Sequence, residues 1–184
     1  MKFAIGFLLL FSVTSTRSQS IFTSEETNVT FFSSALIEDI TAKNNTSTSL
    51  IKVASGEVVF RVPIKGFTFE KSMMQEHFNE KKYMWSDKYP YATYEGKING
   101  DYSLTENGTY KVTTTGTLTI RGVAKERTIE GTITVEDGKV KIHTEFYVLL
   151  ADHKIERPTL VLEHIADKIL VTLDATYIPY VPKK

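Results

Sequence analysis

From Tyr110 to Val148 the chain alternates. Tyr110, Val112, Thr114, Gly116, Leu118 and Ile120 share one parity along a threonine-rich run. Ile129, Gly131, Ile133 and Val135 share one in the next run, and Val140, Ile142, Thr144, Phe146 and Val148 in the third. A period of two means a strand with one buried face. Arg121-Gly122 and Asp137-Gly138 stand at the junctions, and Asp-Gly is a strong signal for a two-residue hairpin. A last run, Ile169, Val171, Leu173, Ala175 and Tyr177, ends at Ile178-Pro179. Such a pattern calls for an antiparallel sheet.

The first half continues the theme in shorter pieces. Ile21–Thr23 and Asn28–Ser33 read as two short strands, and Glu38–Ala42 and Leu50–Ala54 as two more, joined by the polar loop Lys43–Thr48. Ser55-Gly56 turns the chain into a strand carrying Val58, Phe60, Val62 and Ile64 on one face. Eight or more antiparallel strands in 184 residues, with no internal repeat and no linker, indicate one all-β domain, a barrel or a sandwich. Closure into a barrel is favoured because it removes exposed edges. About eight strands leave an interior that side chains fill or that holds one small ligand.

Residues 1–18 are expected to be a signal peptide. Lys2 supplies the positive start, Phe3–Val13 the apolar stretch, and Thr16 and Ser18 the small residues of a cleavage site. The apolar stretch is too short to span a bilayer, so no integral membrane span is predicted. The mature domain, 19–184, would then be exported, to the periplasm or as a secreted protein. There is no cysteine, so the fold relies on its core rather than on disulfides, and thiol chemistry is excluded. Lys and Arg total 22 against 22 Asp and Glu, a balance that gives no reason to expect nucleic acid or an anionic membrane surface as the main partner. Asn28, Asn44, Asn45 and Asn107 begin glycosylation sequons, which matter only in a eukaryotic source.

One stretch departs from strand patterning. After Gly66, Phe67 and Phe69, the segment around Met73–Phe78 carries apolar residues at helical spacing, with Met74 and Phe78 four apart. Ser72 and Gln75 have capping-box spacing. In a β protein such large side chains need a place to go, and the mouth of a barrel is the expected one. Methionine suits surfaces that accept varied apolar partners. Little else is chemically suggestive. His77, His143, His153 and His164 share no metal-ligand spacing, no serine sits in a nucleophile-elbow context, and no phosphate-binding glycine loop is present. Asp152-His153 reads as polar loop surface. Glycines 66, 96, 100, 116 and 122 read as turns, bulges or bends. No catalysis, metal or cofactor is expected.

Four segments carry a family resemblance: GEVVFRVPIKGFTF, MMQEHFNEKKYMWSDKYPYATYEGKI, GTLTIRGVAKERTIEGTI and FYVLLADHKIERP. In this order they resemble the YceI-like family of polyisoprenoid-binding proteins, specifically a compact sub-branch with a helix before the Tyr89-Pro90 pair. The resemblance implies an antiparallel lipocalin-like β-barrel with a short helix across one end. It also implies a cavity for a long-chain hydrophobic ligand: a polyisoprenoid, a prenyl quinone or a fatty amide. On that reading the chain of the ligand lies between Phe60, Val62, Phe67, Met74, Phe78, Tyr94, Leu118 and Phe146. Lys71, His77, Lys81 and Lys88 are the candidate contacts for a polar head group, a solvated face being the other reading of these residues. The competing class is a structural or interaction barrel of the cell envelope with a filled core. Oligomeric state is left open, a dimer being one option.

Overall fold

A computed structural model describes residues 21–157 and 164–181. The expected signal peptide and Pro158 lie outside these residues. Among these residues ten strands and one α-helix follow in order: β1 (Ile21–Ser34), β2 (Asp39–Asn44), β3 (Thr48–Lys52), β4 (Glu57–Pro63), β5 (Thr68–Phe69), α1 (Ser72–Asn79), β6 (Tyr91–Asn99), β7 (Gly108–Ile120), β8 (Val123–Glu136), β9 (Lys139–Leu149) and β10 (Lys168–Pro179). Every pairing is antiparallel.

The sheet closes on itself. The order β1-β3-β4-β6-β7-β8-β9-β10 returns to β1 through the β1–β10 ladder, giving an eight-stranded barrel. The two remaining strands extend wall positions already occupied. β1 pairs with β3 at Ile21–Thr23 and with β2 at Val29–Ser34, so β2 and β3 act as one interrupted strand. β5 then pairs with β2 as β4 pairs with β3. The two breaks face each other, and Asn44 ties them. Its Nδ2 donates to the Pro63 carbonyl at 2.7 Å, while its Oδ1 accepts from the Thr46 N–H at 2.8 Å and the Ser47 hydroxyl at 3.0 Å. Asn44 is fully buried, so it is a structural bracket.

Three local expectations change. The two short strands at residues 21–33 are one strand, because a register shift between Ser24 and Glu26 absorbs the break in pattern. The expected capping box does not form. Ser72 is already helical, Lys71 occupies the cap position without a side-chain bond, and Gln75 instead accepts the Phe69 N–H at 3.3 Å through Oε1. His153 is wholly buried, and Asp152 pairs with Arg127 at 2.9 Å, so this dipeptide is not loop surface. The two tight turns behave as read. Arg121-Gly122 and Asp137-Gly138 both have two successive positive φ angles, the geometry of a type I′ hairpin.

The end of the barrel where β1 begins and β10 finishes is plugged. Ile51, Ile133, Val140 and Tyr177 are completely buried there. The Tyr177 hydroxyl shares a 2.6 Å hydrogen bond with Ser49, and burial pushes its acidity far from the physiological range. The opposite end carries the β1–β2 loop, α1 and the chain that follows α1. That end is the mouth.

Candidate functional site: an apolar cavity

Between plug and mouth lies a cavity of about 690 Å³. Its wall is made by the inward parity of the strands. Near the plug, Ile98, Val112 and Ile133 line it, and at mid-height Phe60, Leu118, Ile129 and Phe146 do. All eight residues named from sequence, Phe60, Val62, Phe67, Met74, Phe78, Tyr94, Leu118 and Phe146, face this one space. Its volume is well above the roughly 300 Å³ at which ligand pockets begin.

Tyr94 shows how the interior is shaped. Its ring runs along the wall over Gly96, where an added Cβ would come within 2.8 Å of the ring and hydroxyl. Gly116 sits opposite Gly96 on β7, and a Cβ there would meet the Glu95 carbonyl oxygen at 2.2 Å. Paired glycines therefore let the two strands and the ring lie together. The Tyr94 hydroxyl donates to Thr114 Oγ1 at 2.9 Å, a satisfied polar pair in an otherwise apolar wall. Burial raises the pKa of this phenol, so it is a neutral donor at physiological pH.

The mouth is covered by an aromatic cluster. Phe78 of α1 lies 5.5 Å from Phe31, 5.6 Å from Phe67 and 5.1 Å from Phe69 between ring centroids. Phe31 also meets Phe67 at 5.3 Å and Phe69 at 5.6 Å. Phe31 and Phe78 stack with their planes 27° apart, and the other pairs meet tilted or edge-to-face. α1 has no fully buried residue, so it is held to the barrel mainly by Phe78 and its neighbours. Beyond it, Ile64, Met84 and Ile155 form a small satellite core that also touches Phe78. Sequence reading singled out neither Phe31 nor Ile155 for the site, although Phe31 has the inward parity of Val29.

The four head-group candidates divide. Lys71 and His77 sit at the rim of the cavity. Lys71 is tied to Glu38 in the β1–β2 loop, and that contact holds its pKa up. His77 lies 3.9 Å from Glu80. Lys81 and Lys88 do not line the cavity; their ammonium groups stand 5.1 Å and 4.4 Å from the centre of the Trp85 ring. Trp85 itself has φ of 46°, a left-handed conformation that turns the chain after α1.

One wall is incomplete. The β7–β8 ladder runs from Gly108↔Val135 to Ile120↔Val123, and the β9–β10 ladder runs unbroken from Tyr177↔Val140 to Lys168↔Leu149. The β8–β9 ladder stops at Thr132↔His143, so toward the mouth these strands diverge. Side chains close the resulting slot. Thr144 Oγ1 donates to the Glu130 carbonyl at 2.5 Å, and Arg127 Nη2 donates to Asp152 at 2.9 Å. His153 Nδ1–H donates to the Val123 carbonyl at 3.0 Å. Burial depresses the His153 pKa, aided by the nearby Arg127 charge, so the ring is neutral. The sequence gives no sign of this slot, because both strands alternate normally through it.

Comparison with known proteins agrees with the geometry. The structure resembles BcnA of Burkholderia cenocepacia, with a TM-score of 0.70, 16% identity, and coverage of 82% of this chain and 95% of that one. It also resembles a polyisoprenoid binding domain from Saccharophagus degradans implicated in plant cell wall breakdown, with a TM-score of 0.72, 14% identity, and coverage of 86% and 98%. A Campylobacter jejuni YceI protein matches with a TM-score of 0.56, 19% identity, and coverage of 98% and 92%. At these identities the likeness is one of fold. No curated protein matches the sequence. The family model for the YceI-like domain matches residues 15–177, nearly the whole chain, and the protein therefore belongs to the YceI-like family.

Proposed function

We propose that this protein binds one long-chain apolar molecule inside the barrel and does not transform it. The observation that carries this reading is the 690 Å³ cavity, walled almost entirely by apolar side chains and closed at one end. If a methylene takes roughly the 30 Å³ of a liquid water molecule, the space holds on the order of twenty carbon atoms. An isoprenoid, prenyl quinone tail or fatty amide of that length fits. A much longer chain would protrude at the mouth. Burying about ten methylenes supplies on the order of 8 kcal/mol of gross driving force, from which ordering of the ligand subtracts a part. The Saccharophagus degradans domain named above supports the ligand class by analogy of fold. The polar end of the ligand would lie at the rim, near His77 and the Lys71–Glu38 pair. Export to the periplasm or cell exterior, after removal of residues 1–18, completes the proposal.

The test is native mass spectrometry of protein purified from its own host. The proposal expects an added mass equal to one lipid, which extraction with organic solvent releases and identifies. Protein that repeatedly flies at its apo mass, and takes up neither prenyl lipids nor fatty amides, would overturn the proposal.

A further inference from the structure

We infer that the rim of the mouth is a docking surface for a lipid bilayer. The inference rests on the proposal that the cavity holds a lipid. Its first support is a group of three exposed apolar side chains at the mouth. Leu36 is 89% exposed, Ile37 59% and Met73 66%. Leu36 and Ile37 belong to the loop between β1 and β2, and Met73 to the first turn of α1. Because β2 pairs with β5, this loop and the start of α1 rise side by side. The Lys71–Glu38 ion pair joins them directly. Glu38, Lys71 and Met73 all border the cavity, so the apolar rim is continuous with the opening.

Charge and area decide what this rim meets. Nearby charges of both signs are mixed: Lys71 pairs with Glu38, Lys82 with Glu80 at 3.1 Å and Lys65 with Asp87 at 2.7 Å, while Asp39, Glu70 and Glu76 carry no ion pair among the described residues. No strong field of either sign selects a charged partner, and a zwitterionic lipid surface fits. The three side chains expose on the order of 400 Å², the size of a large functional patch on a monomer. A stable protein partner or second copy needs roughly 800 Å² from each side. A bilayer has no such threshold, since a few apolar side chains entering the headgroup region suffice for transient contact. A bilayer is also where a ligand of this class resides, and contact at the rim would let its chain move into the cavity without crossing water.

The test is flotation of the purified protein with phosphatidylcholine vesicles. Wild type is expected to float with the vesicles. Leu36→Glu/Ile37→Glu should partition roughly tenfold or more weakly. Leu50→Glu, which places a carboxylate on the outer wall of β3, should float like wild type. Wild type that does not float, or a rim variant that floats equally well, overturns the inference. So does sedimentation showing a wild-type dimer that the rim variant dissociates, because the rim would then be a contact between copies. Loading of lipid from detergent micelles is measured on the same proteins and should be unchanged in the rim variant. If even wild type loads nothing, the cavity proposal fails, while flotation still decides the rim.

Discussion

Phe78 couples the helix to the barrel, and Phe78→Asp separates the account from its simplest rival. The ring contacts Phe31, Phe67 and Phe69, and each such pair is worth about 0.5–1.5 kcal/mol beyond burial. For a half-buried ring on a helix with no fully buried residue, the lower half of that range applies, about 2 kcal/mol over the three pairs. The new carboxylate does not have to stay desolvated, because α1 can swing outward, and elements held by few contacts open at low cost. In a domain of this size about 2 kcal/mol lowers Tm by roughly 4–8 °C. For the ligand, loss of one apolar cover residue removes about 1.5–3 kcal/mol, and release should quicken roughly tenfold to a hundredfold. A circular-dichroism melt run beside a lipid-retention assay gives both numbers. A fall in Tm of 20 °C or more, or loss of cooperative unfolding, would make Phe78 a core anchor. A variant that melts like wild type and keeps its lipid would refute the reading of Phe78 as a cover over the mouth.

Other expectations follow from single residues. Gly116→Ala places a Cβ 2.2 Å from the Glu95 carbonyl oxygen, so β6 and β7 must separate; a melt should show destabilisation of about 2 kcal/mol or more. Asn44→Ala leaves the buried Ser47 hydroxyl and the half-buried Pro63 carbonyl without their partner, and urea unfolding should show a loss of about 1–3 kcal/mol. His153 has a folded-state pKa below its unfolded value, so below about pH 6.5 the unfolded chain binds more protons. Its contribution is present above that pH and is lost as pH falls toward the folded pKa. Denaturant midpoints measured from pH 8 to pH 5 should therefore fall, and His153→Phe should flatten that part of the curve.

The barrel was legible because its information is local. Period-two parity, two hairpin turns and the break at Gly66 determine which side chains point inward, and seven of the eight cavity residues named from sequence follow from parity or helical spacing, Phe67 being placed by the break itself. What stayed hidden depends on tertiary geometry. Asn44 looks like loop polarity until Pro63 is brought opposite it. Gly96 and Gly116 look like bends until Tyr94 is laid across them. The divergence of β8 from β9 leaves no trace in either strand, since it is a relation between strands. Lys81 and Lys88 are close to α1 along the chain, as a head-group contact requires, but the left-handed turn at Trp85 draws both onto its ring.

A bounded apolar space that takes one chain is measured most directly by a ligand-length series. Alkyl amides of increasing length would be titrated into delipidated protein by calorimetry. Affinity should rise by up to about 0.8 kcal/mol per methylene and level off near twenty carbons, where the 690 Å³ is full. The heat-capacity change should become more negative over the same range and then stop changing. Affinity independent of chain length, or rising without a break well past that length, would contradict a closed barrel cavity as the binding site.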